Sequence, residues 1–383
     1  MDPDFVQDPF AFYAKARVEC GDMFWWQEYD MPALLSYELV SSVLRDRRFG
    51  RQAPRGHEPQ KPPHQAGFWA IEDHSMLELE APRHTRLRKL VLHAFTSRRV
   101  AALGPEIAQL AHDLARAFPD EPFDLLPTFA EKLPVIIIAR LLGVPETDAD
   151  QLLAWSHAMV AMYQASRDHA TEVAAGRAGR EFAAYIRDVI AAKRRAPADD
   201  LISQLIAAED EGRQLSNDEL IATCVLLLNA GHEATVHTIG NGVALLLTRG
   251  QIARAAGVEN LIEEIIRFDT PLHMFQRWAY EDIELGGRRI AKNSRVACLL
   301  AAANRDPARW SQADEFRPDR PIQTNASFGA GAHFCIGAPL ARLELAQALP
   351  ILFEVAPGLR LETPPQFANS YHFHGLKALQ VSA

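Results

Sequence analysis

"FGAGAHFCIG" (Phe328–Gly337) runs directly into "APLARLELAQAL" (338–349), where apolar residues recur at helical spacing. A single cysteine, Cys335, thus stands among glycines a short step before a helix begins. A helix start carries unpaired N–H groups and the positive end of the dipole, so it should hold this thiol as the thiolate. A resident thiolate is either a nucleophile or a metal ligand. Gly331 and Gly337 clear side chains from where a large flat group would lie against the backbone. A nucleophile would need a paired base and an open approach instead. His333, two residues away, points more naturally across the loop towards an anion. The usual fate of a lone cysteine, a small buried hydrophobe, suits this setting poorly. The loop also fails as a phosphate cradle, because Phe334 stands where a third glycine belongs and no GK[ST] follows.

The rest of the chain bounds what such a loop can belong to. With 383 residues, 48% hydrophobic and 23% charged, there is ample material for a large core. A formal net charge of -9 argues against a nucleic-acid binder or a polybasic membrane anchor. Cys20, Cys224, Cys298 and Cys335 form no CxxC pair, so neither a zinc site nor a disulfide framework is expected. The acidic start "MDPDFVQDPFAFYAKARVEC" lacks a signal h-region, and no apolar run is long enough to span a bilayer. A soluble cytoplasmic protein is the expectation.

Helical patterns dominate upstream of the loop, in "LGPEIAQLAHDLARAF", "FAEKLPVIIIARLLGV", "DADQLLAWSHAMVAMY", "AAGRAGREFAAYIRDVIAAKRRA" and "ADDLISQLIAAEDEG". The segment 216–250, "SNDELIATCVLLLNAGHEATVHTIGNGVALLLTRG", has a capping box in Ser216 and Glu219 and a stop in Gly250. Uninterrupted it would run about 50 Å, and its apolar character on nearly all faces predicts a helix buried through the middle of the molecule. Strand signals are few: "RWAYEDIEL", a Gly286-Gly287 turn, "RRI" and "SRVACLLAAA". The Pro-rich "APRGHEPQKPPHQAGFW" is a loop, not a linker, since patterned sequence flanks it closely. The expectation is a mainly α protein, one helical domain over residues 1–383 with a long central helix and small β-sheets.

The loop resembles the haem-binding segment of the cytochrome P450 superfamily, Phe-x-x-Gly-x-His/Arg-x-Cys-x-Gly. Phe328, Gly331, His333, Cys335 and Gly337 fill every position, and the likeness extends over essentially the whole chain. It implies haem b (iron protoporphyrin IX) with Cys335 as proximal iron ligand. A thiolate in that position pushes electron density onto iron and favours O–O cleavage. In similar sequences "EEIIRF" and "FRPDR" supply a buried network, here Glu264, Arg267 and Arg320, that supports the cysteine loop. An i, i+3 ion pair by itself usually marks a solvated surface; the flanking Ile265, Ile266 and Phe268 oppose that reading. The resemblance further implies His84 and Arg88, on one helical face of "PRHTRLRKLV", together with Arg277 and His333 as partners of the haem propionates. Arg83, Arg86 and Lys89 would leave a positive patch on an acidic protein, suited to an acidic iron–sulfur ferredoxin.

"NAGHEATVHT" resembles the family's oxygen-activating segment, Ala/Gly-Gly-x-Asp/Glu-Thr, with one departure. Ala230, Gly231 and Glu233 fit, but Ala234 occupies the threonine position. The family uses that acid–alcohol pair to hold water and pass protons. Thr235 is adjacent, yet one residue turns about 100° around a helix and directs it elsewhere. Thr238, one turn on, could face the same groove. The catalytic candidates are therefore Glu233, Ala234 and Thr235, with proton delivery the open question. Family position places Phe68, Trp69, Leu272, Met274, Phe275 and Phe373 around a largely apolar pocket, with His273 and His372 as polar handles. The reading is a monooxygenase that inserts oxygen from O2 into a small or medium apolar organic molecule. No nicotinamide or flavin fingerprint occurs, so electrons would come from a ferredoxin and its NAD(P)H-dependent reductase, with no nucleic acid or membrane partner. Ala234 keeps open a haem-binding sensor or carrier without turnover. A cysteine hydrolase is disfavoured, since nothing pairs a base and an orienting acid with Cys335.

Overall fold

The computed structural model describes residues 2–164, 167–208, 212, 214–250 and 257–383. Eight helices carry the argument: α1 Tyr37–Arg45, α2 Ala66–Glu72, α3 Arg83–Ala94, α4 Ala149–Val160, α5 His169–Arg195, α6 Asn217–Arg249, α7 Val258–Phe268 and α8 Ala338–Val355. Five strands form the largest sheet: β1 Met23–Trp26, β2 Met31–Leu34, β3 Phe49–Gly50, β4 Met274–Ala279 and β5 Arg295–Leu299, in the order β1-β2-β5-β4-β3. The pairing of β2 with β5 is parallel, and the other neighbours are antiparallel.

The long apolar helix is α6, and its ends are those the sequence marks. Ser216 accepts from the Glu219 N–H while the Glu219 carboxylate accepts from the Ser216 N–H, and Gly250 closes the helix at φ 61°. Such a cap is worth about 1 kcal/mol. Ile239, Val243 and Leu246 are fully buried, and α6 lies within the main core together with α2, α3, α5, α7 and α8. Burial on most of its faces explains why no amphipathic stripe was legible.

The β regions are finer-grained than the sequence suggests. "RWAYEDIEL" is two strands, the end of β4 and Ile283–Leu285, and the latter pairs with Arg288–Ile290 across Gly286 and Gly287 at φ 54° and 73°. β1 and β2 were not anticipated: "MFWW" and "MPAL" are apolar throughout and carry no alternation, since β2 is buried on both faces. The segment "ADDLISQLIAAEDEG" forms a helix only over Leu201–Ala207, and part of its tail lies outside the described residues. No helix among the described residues is long and apolar enough to cross a membrane.

Candidate active site

The cysteine loop is fixed by its own backbone and by a buried ionic network. Cys335 N donates to Phe328 O at 3.0 Å, closing the loop on itself. Gly331, at φ 68°, is required by packing: a Cβ there would lie 2.3 Å from Leu44 O, at the end of α1. Packing against the end of α1 is thus a reason for glycine here that the sequence did not show. A Cβ on Gly337 would stand 3.8 Å from the Cys335 sulfur, in ordinary van der Waals contact.

Glu264, Arg267 and Arg320 meet as expected and are all buried. Arg267 Nε and Nη2 donate to the two Glu264 oxygens at 2.7 and 2.8 Å, and Arg320 Nε donates to Oε2 at 3.1 Å. The link to the loop runs through Asn304, which sequence reasoning missed. Arg267 Nη1 donates to Asn304 O at 2.7 Å, Asn304 Nδ2 to Ser327 Oγ at 2.8 Å, and Ser327 Oγ to Ile266 O at 2.8 Å. Phe328 is covered by the Arg342 guanidinium, 4.4 Å from its ring centroid.

Cys335 keeps accessible surface, yet the protein around it is dense enough that desolvation raises its thiol above the ordinary value. The Gly337 and Ala338 N–H groups, Arg88 and Arg342 all pull the other way without prevailing. This corrects the expectation of a thiolate created by the helix start alone. A bound cation would favour the thiolate, as it does for any thiol that ligates a metal.

Facing the loop are cations in need of anions. Arg277 is 2% exposed; its guanidinium donates to Gln276 O at 2.8 Å and has no carboxylate within salt-bridge distance among the described residues. Burial lowers it to about 10, still charged at neutral pH. Arg88 Nη2 donates to Phe334 O at 2.6 Å, likewise without a carboxylate among the described residues. His84 is buried 4.2 Å, ring to ring, from His333, and burial lowers it to about 4. His333 does point across the loop to an anion, but that anion is Glu80, at 2.9 Å. Glu80 also accepts from Arg51 N at 2.7 Å and was not foreseen, because an isolated glutamate carries no motif. The basic patch is thinner than expected, since Arg86 pairs with Glu219, the capping residue of α6.

On α6, Glu233 is buried between imidazoles. His157 Nε2 of α4 and His232 Nε2 each lie 3.4 Å from Oε1, and His237 Nε2 lies 3.8 Å from Oε2. These are ion-pair separations short of hydrogen-bond geometry, and Oε1 has no bonded partner. Burial pushes the carboxyl up, but His232, His157 and His237 together hold it below its ordinary value. His232 Nδ1 donates to Leu228 O at 2.8 Å, which aims Nε2 at Glu233. Thr238 is engaged, with Oγ1 donating to Ala234 O at 2.7 Å. Thr235 is buried and turned towards Glu344 of α8, a residue the sequence reading passed over. Both Glu344 oxygens lack hydrogen-bond partners; burial raises the carboxyl to about 8, and the Thr235 side chain pulls weakly against that.

A cavity of about 1570 Å³ opens between the Pro-rich loop, α2, β4 and the segment 369–372. Phe68, Trp69, Met274, Phe275 and His372 line it as expected, but Leu272 and Phe373 do not. His273 is not a polar handle either: it is fully buried, 2.9 Å from Tyr13 Oη, in a cluster with Tyr371 and His374. Charged residues, among them Arg51, Glu72 and Arg167, share the cavity wall, so it is less apolar than the sequence implied. No lining residue comes from α6 or the Cys335 loop.

The helical fold around α6 and the glycine-flanked thiol define a class, and comparison with known proteins gives it a name. A family profile described as Cytochrome P450 matches residues 5–259 and 251–355. The mycinamicin IV hydroxylase/epoxidase of Micromonospora griseorubida is 38% identical, over 86% of this chain and 82% of that protein. The cytochrome P450 monooxygenase PikC of Streptomyces venezuelae is 34% identical, over 99% and 92%. The crystal structure of P450BioI in complex with acyl carrier protein ligated to hexadec-9Z-enoic acid covers all of both chains, at TM-score 0.93 and 29% identity. The chain belongs to the cytochrome P450 family and is a monooxygenase, an enzyme class that acts with haem and O2 on organic substrates. The residues present fit a haem: the Cys335 sulfur is accessible, and the buried Arg277 and half-buried Arg88 lack carboxylate partners among the described residues, so a buried cation calls for an anion such as a propionate.

Proposed function

We propose that residues 1–383 act as one haem b-binding unit that oxidises a small to medium, largely apolar organic molecule, with Cys335 as the iron ligand. In this reading His84, Arg88, Arg277 and His333 hold the propionates, and Phe328, Gly331 and Gly337 shape the loop. The observation that carries it is the Cys335 sulfur itself, accessible in its loop and reached by the N–H groups of Gly337 and Ala338. Haem, when bound, supplies the iron that activates O2.

The chain's own residues do the rest. Arg88 and Arg277 neutralise and orient carboxylates, and the two arginines on Glu264 hold the loop rigid so that the sulfur needs no reorganisation. Glu233 is the proton-handling carboxylate, exchanging protons through His232 and His157. Ala234 offers no hydroxyl and Thr238 is bonded to the helix, so an ordered water or a polar substrate group stands in for the missing alcohol. The aromatic wall of Phe68, Trp69 and Phe275 supports an apolar substrate body, and the charged rim supports a polar end.

Electrons come from an iron–sulfur ferredoxin and its NAD(P)H-dependent reductase. Arg83 and Lys89, exposed on α3, support docking of an acidic partner on an otherwise acidic protein. The unpaired cysteines accord with a reducing cytoplasm. The test has two arms. The visible spectrum of the reduced, carbon-monoxide-bound protein reads thiolate ligation, and Cys335→Ala should abolish its signature. Ferredoxin-supported turnover of a small-molecule panel, read by product analysis and haem spin state, tests substrate and electron donor; a thiolate spectrum without ferredoxin-supported turnover would reject the donor alone.

A further inference from the structure

Among the described residues, three clusters bring at least three histidine or carboxylate ligand atoms within 4.8 Å of one another. His157, His232 and Glu233 belong to the site already described. Asp269, His273 and His374 are all buried in the core, with His273 Nδ1 2.9 Å from Tyr13 Oη and His374 Nδ1 3.2 Å from Asp269 Oδ1. The third cluster, His64, His169 and Glu172, lies away from both.

We infer that His64, His169 and Glu172 form a binding site for a divalent transition-metal ion, zinc by its donor set, that fastens the Pro-rich loop to α5 at the rim of the large cavity. His169 and Glu172, three apart in the first turn of α5, share one helix face. His64 comes from a single 3-10 turn, Pro63–Gln65, at the end of the Pro-rich loop. Its Nε2 lies 2.8 Å from Glu172 Oε2, and its ring centroid is 4.5 Å from that of His169. Two imidazoles and a carboxylate, with a fourth position open to water, are a recurrent zinc donor set.

A metal site also needs its ligands held in place, and here the backbone does that. A Cβ on Gly176 of α5 would lie 2.0 Å from His64 O, and one on Gly67 would lie 2.1 Å from Gly176 O. Only glycine permits this approach, so α5 and the His64 turn are locked in register backbone against backbone. The ligand spacing is thereby set by packing, independently of any ion. Glu172 Oε2 meets His64 Nε2 at 2.8 Å, and the ligand atoms of the three residues all lie within 4.8 Å of one another. Arg167 Nε lies 3.3 Å from Oε1, whereas His64 meets the other oxygen, Oε2. Gln65, Arg167 and Glu172 all line the cavity, which is why an ion at this point would tie loop and helix together across its rim.

The test uses the full-length, haem-loaded protein, stripped with a chelator and titrated calorimetrically with Zn²⁺ alone. We expect one zinc equivalent that is lost, or weakened about tenfold or more, in His169→Ala and in Glu172→Gln. His169 is exposed, so its replacement spares the core. Zinc-edge absorption should show nitrogen and oxygen neighbours without sulfur. Hydrogen exchange should slow on zinc addition in residues 57–66 and 168–176. Equal zinc stoichiometry and affinity in wild type and both variants, or protection confined to other segments, would overturn the assignment. Because the readouts are metal binding and amide protection, they stand whether or not turnover is found.

Discussion

The two sides of the site are built on opposite principles. The cysteine loop is saturated with bonds: Glu264, both arginines, Asn304 and Ser327 find partners at 2.7 to 3.1 Å. The α6 side is under-bonded. Glu233 Oε1, His232 Nε2, Asn229 Oδ1 and both Glu344 oxygens are buried without hydrogen-bond partners. An unsatisfied buried polar group costs about 1–3 kcal/mol, and Glu233 is held by the charge of the surrounding imidazoles instead of by direct hydrogen bonds. Rigidity suits a ligand that must stay put; unsatisfied groups suit a region that must take up water, protons and substrate.

The sharpest way to break this contrast is at its rigid end. Cys335→Ala should abolish turnover and the thiolate spectrum altogether; residual activity would remove the proximal role assigned to this residue. Glu264→Ala leaves two buried guanidinium groups unpaired and should cost about 3–5 kcal/mol, read as a lower urea midpoint. A midpoint close to wild type would show the network to be redundant.

At the under-bonded end the losses should fall on rate instead of stability. Glu233→Ala should keep the haem and the fold but slow turnover by roughly 100-fold. Since its neighbours hold Glu233 below the ordinary carboxylate range, its charge is lost only as pH falls through that depressed value. The acid limb of the rate profile should therefore lie lower than that of an ordinary glutamate.

Glu344 works in the other direction. Its folded value, about 8, stands above the ordinary 4.5, so the stability it supports is complete below pH 4.5 and is lost as pH rises towards 8. Glu344→Gln should raise the urea midpoint at pH 8, by ~1 kcal/mol or more, and leave it unchanged below pH 4.5. A midpoint shift equal at both pH values would mean the carboxyl is ionised in the fold. The smallest effect is expected from Ala234→Thr, which restores a hydroxyl and should change the fraction of reducing equivalents released as peroxide. An unchanged fraction would make the position irrelevant to proton delivery.

Much of this was legible before any coordinates. The ends of α6 could be read because capping is local chemistry, set by Ser216, Glu219 and Gly250 alone. The family could be read because the glycine-and-thiol pattern of Phe328–Gly337 resembles the cytochrome P450 loop at every motif position. Asn304, Glu80, Arg342 and Glu344 could not be read. Each acts across the chain, and no spacing in the sequence distinguishes an asparagine that ties two loops from one in solvent. Cys335 shows the same limit from the other side, because the helix start that should lower its thiol is outweighed by burial, and burial is a property of the packed chain.

What the residue order determined by itself was a helical protein of the cytochrome P450 family, with a long buried helix and alanine at position 234. What only the tertiary structure decided was which charges lose water together: His333 against Glu80, Thr235 turned to Glu344, three histidines around Glu233. The reason is that helix caps and glycine turns are settled within a few residues, whereas the energy of a charge depends on everything packed around it.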